Sequence, residues 1–165
     1  MDAEGSSRFE PATGDGTLSA EPVEKRAASV RTAFEGLLQI RRLTGVGAAD
    51  PEAAPAVWER NQPVRAVALA LECSGAAPSA VDVSGRRVST GYRVLAGESA
   101  GSVRVEWVGP PGSGAAHEED EALAGCAASL RRLGWTVLLY RGPRRRRYLE
   151  VEPPGAGAGD GRGGA

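Results

Sequence analysis

The stretch SVRVEWVGPPGSGAAHEEDEALAGCAASLRRLGWTVLLYRGPRRRRYLEVE, residues 102–152, decides the architecture. At its start Val103, Val105 and Trp107 alternate with Arg104 and Glu106, the period of a strand with one buried face. The spacing then changes. Leu123, Cys126, Ala127, Leu130 and Leu133 recur at steps of three and four, which predicts a helix. Its acids, Glu118 to Glu121, crowd the first turn, Arg131 and Arg132 occupy the last, and Gly134 stops it, each suited to the helix dipole or the C-cap. WTVLLY, residues 135–140, is apolar on both faces and reads as a central strand. RYLEVE, residues 147–152, alternates again, with Leu149 and Val151 set against Glu150 and Glu152.

Upstream, GYRVLAG (residues 91–97) joins the first of these strands across a Gly/Ser loop as a hairpin. The C-terminal half, residues 91–152, therefore reads β-β-α-β-β. A helix returning between two hairpins predicts that the second and third strands are parallel neighbours, joined by a right-handed crossover. The expected fold class is α+β: a small mixed β-sheet packed with helices, plus an N-terminal amphipathic helix.

That N-terminal helix is predicted over residues 22–43, where Val23, Ala27, Val30, Phe34 and Leu37 share one face and Gly45 ends the pattern. The stripe either packs on the domain's own sheet or, through Val30, Phe34 and Leu37, meets a partner chain. It spans too few heptads for a coiled coil. Residues 45–55 are a joint, and residues 56–60 a short helix containing Trp58. PVRAVALALEC, residues 63–73, is ambiguous: its Ala and Leu favour a helix and its Val residues permit a strand, with the helix preferred. A small hairpin is expected around Ser84 and Gly85. Residues 20–152 form the single domain. Residues 1–19 are expected to be a disordered acidic arm, and residues 153–165 a flexible Gly-rich tail.

Composition restricts function more than it assigns it. The 165 residues carry a net charge of −1, so nothing draws the whole chain towards nucleic acid or membrane. Aromatics are only 5%, which leaves Val, Leu and Ala to build the core. Nineteen of the 20 basic residues are Arg, a bias of GC-rich, bacterial coding that makes a single surface arginine uninformative. The longest clean apolar run, residues 66–71, is far too short to span a bilayer, and the acidic start has no leader-like apolar stretch. A cytoplasmic location is expected. Cys73 and Cys126 form no CxxC, and Cys126 falls on the apolar side of its helix as a buried free thiol.

The motifs argue against catalysis. GPPGSGAA, residues 109–116, spaces two glycines like a phosphate loop, but Ala115 and Ala116 stand where Lys and Ser/Thr are needed. Pro110 and Pro111 remove backbone donors, and the acids that follow repel phosphate. His117, the one histidine, sits among acids with no second imidazole, so neither a metal site nor a Ser-His or Cys-His pair is indicated. No cofactor, metal or catalytic residue is assigned.

The arginines are the remaining signal. Arg141, Arg144, Arg145, Arg146 and Arg147 fall within seven residues, flanked by Tyr140 and Tyr148. Such a hairpin suits DNA or RNA, with phosphates on the guanidinium groups and a base on a tyrosine. Strand alternation would put Arg145 and Arg147 on the side of Leu149, and Arg144 and Arg146 beside Tyr148. Arg86–Arg87 and Arg131–Arg132 would enlarge the footprint if the fold brings them close. The alternative partner is an acidic protein surface, with the chain's own residues 2–24 one candidate. The plain alternative is a solvated hairpin end that guards a sheet edge. The expected function is that of a small non-enzymatic binding protein, with nucleic acid favoured over a protein-interaction role.

Overall fold

Residues 9–155 are described by a computed structural model. Helix α1 (Val23–Thr44) is followed by a 3₁₀ turn (Pro51–Ala53), α2 (Val57–Asn61) and α3 (Pro63–Cys73). A two-stranded hairpin, β1 (Ala80–Val81) and β2 (Arg87–Ser89), leads into β3 (Gly91–Ala96) and β4 (Val103–Val108). Then come α4 (Ala115–Arg132), β5 (Thr136–Arg141), a 3₁₀ turn (Pro143–Arg145) and β6 (Arg147–Glu152). The class is α+β, and the β-β-α-β-β order of residues 91–152 is present.

The pairing differs from the expected mixed sheet. The larger sheet has the order β3-β4-β6-β5 and every neighbouring pair is antiparallel. β4 and β5 do run in the same direction, but β6 lies between them. The cause is the second hairpin: once β5 turns straight into β6, the alternating strand takes the place beside β4. There Leu149 and Val151 point into the core while Tyr148, Glu150 and Glu152 face outward. β5 is consequently an edge strand, not a central one. Its Val137 is buried, but Leu138, Leu139 and Tyr140 are 48%, 53% and 42% exposed.

One sheet face carries Tyr92, Val94, Val103, Val105, Val137, Leu149 and Val151 against α3 and α4, which supplies Leu123, Cys126, Ala127 and Leu130. Helix α3 lies between the sheet and α1. Six consecutive residues, 66–71, are buried in it, so it shows no polar face. That two-sided burial is what blurred its helical period. Val30 and Leu37 of α1 are buried against Leu69, with Phe34 partly buried beside them. The Val30–Phe34–Leu37 stripe is therefore core within this chain, at about 1.5–3 kcal/mol for each fully buried side chain, rather than a face held out for a partner.

A buried ion pair joins the helical layer. Arg41 is 1% exposed and Glu59 0%. Arg41 Nε and Nη2 donate to the two Glu59 carboxylate oxygens at 2.8 and 2.7 Å. Its Nη1 donates to Glu52 O at 2.7 Å and Leu133 O at 2.8 Å. Glu59 also accepts the Ala56 N–H at 2.8 Å. One guanidinium thus ties α1, the 3₁₀ turn, α2 and the end of α4, with its donors matched as burial of a charge demands.

Residues 9–19 correct the expectation of a disordered arm; residues 1–8 lie outside the described residues. Thr13 O accepts the Val94 N–H at 2.7 Å and Gly16 O the Val81 N–H at 2.9 Å, so the arm bridges the two sheets. Gly14 has φ +97°, and a Cβ there would stand 2.3 Å from Tyr92 O. Asp15 pairs with Arg87 and Arg93, and Glu10 with Arg65. The Tyr92 hydroxyl donates to Ala12 O at 2.8 Å, and burial pushes its pKa far up. A segment this poor in apolar residues is ordered by polar bonds to a strand edge, which hydropathy does not register. Of the predicted tail, residues 156–165 also lie outside the described residues.

Candidate functional site

The arginine run sits at the β5–β6 corner. Gly142 N–H donates to Arg146 O at 2.6 Å and closes the hairpin. Pro143 starts the 3₁₀ turn, and Arg144 adopts φ 63°, ψ 27°. A non-glycine residue in that left-handed region carries roughly 1–2 kcal/mol of strain. β6 begins only at Arg147, so the strict two-and-two alternation of the four arginines does not hold across the turn. It holds for the last two. Arg146, exposed, shares the outer face of Tyr148, and Arg147 shares the inner face of Leu149.

Arg147 is not free for a ligand. Its guanidinium pairs with Asp120 and its backbone N–H donates to Glu119 Oε1 at 2.8 Å. Glu119 is buried, and neighbouring Glu118 accepts the Trp107 Nε1–H at 3.2 Å. Beyond suiting the helix dipole, the acids that open α4 anchor the start of β6 and the end of β4. No ion pair joins Arg141, Arg144 or Arg146 to a described carboxylate, and all three are exposed.

The tyrosines are brought together. Tyr140 and Tyr148 face each other across β5 and β6, with ring centroids 5.7 Å apart and planes 18° from parallel. Arg104 of β4 lies over the other side of Tyr148, its Cζ 3.9 Å from the ring centroid. The outer sheet face therefore bears a row, Arg104–Tyr148–Tyr140, running across three strands to the free edge. Stacking and cation–π attraction hold the inner two members. Among the described residues no strand lies beyond Tyr140. Arg104 was missing from the sequence reading because its place beside Tyr148 depends on β6 pairing with β4.

Other expected contributors lie elsewhere. Arg131 donates to Val137 O at 2.8 Å, at the end of β5 away from Arg141. Arg87 is held by Asp15, Gly14 O and Ser79 Oγ. Within the described part of the arm, Glu10 pairs with Arg65 of α3 and Asp15 with Arg87 and Arg93 of β2 and β3, not with the hairpin arginines. A cleft of about 960 Å³ runs under the arm beside α1, but its Arg26–Glu72 pair closes on itself at 2.7 Å. Burial pushes the Cys73 thiol there upward in pKa, away from nucleophilic use.

Gly114 takes φ 81° to start α4, and Gly109 packs so closely that a Cβ would meet Thr90 Oγ1 at 2.3 Å. Among the described residues no helix is long and apolar enough to cross a membrane. Comparison with protein-family models, curated proteins and solved structures finds no match to this chain.

Proposed function

We propose that this chain is a cytoplasmic, non-catalytic protein that binds single-stranded nucleic acid at the β5–β6 corner. An unpaired base extends the Arg104–Tyr148–Tyr140 row by stacking on Tyr140, while Arg141, Arg144 and Arg146 take adjacent phosphates. The observation that carries this reading is the row itself, which ends in a 42%-exposed ring at an uncovered edge. A duplex base is already stacked on its neighbours and gains little from such a ring, so a single strand is preferred.

Three phosphate contacts predict a slope of log affinity against log salt near −2 on a single strand, from about −0.7 per contact. Fluorescence anisotropy with labelled oligothymidylate and oligoadenylate, against a duplex control, measures it. Tyr140→Ala is expected to weaken single-strand binding by roughly 1–3 kcal/mol. Arg144→Gly relieves the left-handed strain and removes one contact, so it lowers the slope without lowering stability. Absence of binding at low salt, or affinity indifferent to Tyr140→Ala and to joint replacement of Arg141, Arg144 and Arg146, would refute the reading.

A further inference from the structure

The two edges of the larger sheet are treated differently. On β3 three outward backbone groups are already used: Val94 N–H bonds to Thr13 O, Tyr92 N–H to Ala77 O, and Tyr92 O accepts from Ser79 N–H. On β5 they are not. Gly142 N–H bonds to Arg146 O, so by antiparallel alternation Tyr140 and Leu138 direct their backbone groups at β6. Val137, Leu139 and Arg141 direct theirs away from the sheet. The carbonyl of Val137 confirms the phase, because it accepts from the Arg131 side chain instead of from β6. The N–H and C=O of Leu139 and Arg141 remain, bordered by the exposed side chains Leu138, Leu139 and Tyr140.

Charge selects what can pair there. Arg131 and Arg132 stand at one end of β5, Arg141, Arg144 and Arg146 at the other, and β5 itself carries no acid. Glu150 and Glu152 lie one strand in, opposite Leu138 and Thr136 on the outer face. Two copies meeting antiparallel would set the Arg141 end of one against the Arg131–Arg132 end of the other; a parallel meeting would align like ends. Both arrangements repel.

We propose that the free edge of β5 accepts an extended acidic segment of another polypeptide by strand addition. The segment's backbone pairs with Leu139 and Arg141, its apolar side chains lie beside Leu138 and Tyr140, and its carboxylates meet the arginines at either end. Such a strand covers Tyr140 and neutralises the same guanidinium groups as the nucleic-acid reading uses, so the two ligands exclude each other. The edge pairing stands without that reading, because its bonds are to backbone.

The probe is a labelled peptide of alternating Glu and Val, about eight residues long and so able to span β5, with a Lys/Val counterpart. The full-length chain is expected to bind the first and not the second. Proline at an outward-facing edge position removes only an N–H that the sheet does not use, so Leu139→Pro should unfold like wild type yet lose at least about tenfold in peptide affinity. Amide exchange supplies a readout that needs no variant: peptide should slow the amides of Leu139 and Arg141. Equal binding of the Lys/Val peptide, no binding of the Glu/Val peptide, or binding that leaves both amides unprotected would overturn the proposal. Competition with oligothymidylate is scored separately, and its absence would count against the shared site while leaving the edge pairing intact.

Discussion

Replacing Glu59 with Ala isolates the cost of an uncompensated buried charge. Arg41 would keep Glu52 O and Leu133 O but lose both carboxylate oxygens, and Ala56 N–H would lose its acceptor. At 1% exposure the guanidinium cannot recover those bonds from water. Breaking a buried pair from one side costs about 3–5 kcal/mol, which for a domain of this size lowers Tm by roughly 6–20 °C. Replacing both partners, Arg41→Met with Glu59→Ala, removes the stranded charge and leaves only unpaired dipoles. The double variant should therefore be more stable than the sum of the two single losses by about 2 kcal/mol or more. Urea unfolding followed by circular dichroism gives all four corners of the cycle. A Glu59→Ala loss below about 1 kcal/mol, or strictly additive losses, would refute the account of this pair as a charge satisfied only by its partner.

Phe34→Asp should cost about 2–4 kcal/mol in urea unfolding, through lost packing and a desolvated carboxylate, without altering the association state of the folded fraction in sedimentation. Gly134→Ala, where φ is +89° and a Cβ would approach Ala53 O at 2.0 Å, should lose more than about 1–2 kcal/mol. Gly47→Ala, at φ +97° with open space around it, should lose only the strain, so thermal melts of the two separate clash from conformation. Partial burial raises the Asp15 carboxyl, but hydrogen bonds from Arg87 and Arg93 outweigh it and hold the pKa below the ordinary value. Its contribution is thus present above the unfolded-state pKa near 3.9 and lost as pH falls through the lower folded value. Asp15→Asn should cost no more than about 1 kcal/mol at pH 7, a difference that denaturant titrations at descending pH should see vanish. Burial raises the Cys126 thiol to about 11, so a thiol reagent at pH 8 should modify Cys73 first and reach Cys126 only on unfolding.

The elements of the C-terminal half could be read in advance because each has one buried face and one wet one: Val103, Val105 and Trp107 in β4, Leu149 and Val151 in β6, Leu123 to Leu130 in α4. Strand order could not. The run Trp135–Thr136–Val137–Leu138–Leu139–Tyr140 looks two-sided and central, but it lies at an edge, where Trp135 and Val137 are buried and Leu138, Leu139 and Tyr140 exposed. The site was legible as residue types, since the arginines and both tyrosines were picked out, but not as a constellation. Arg104 is 44 residues from Tyr148 in sequence and Asp120 27 from Arg147, and only the fold brings each pair together. Asp120 then removes Arg147 from the set, a subtraction that local charge counting cannot make. The Arg41–Glu59 pair was hidden for a similar reason: 18 residues separate its members, and a cation near a helix C-terminus is ordinary.

The clasp formed by residues 9–16 has a consequence for biosynthesis. Thr13 receives its partner only when Val94 has been made, about 80 residues later, which at 5–20 residues per second is roughly 4–16 s of translation. The earliest described part of the chain therefore waits for a partner made well after it. During that wait the β3 edge and the segment meant to close it do not coexist outside the ribosome, and a bulky fusion placed just ahead of residue 9 would burden the closing step.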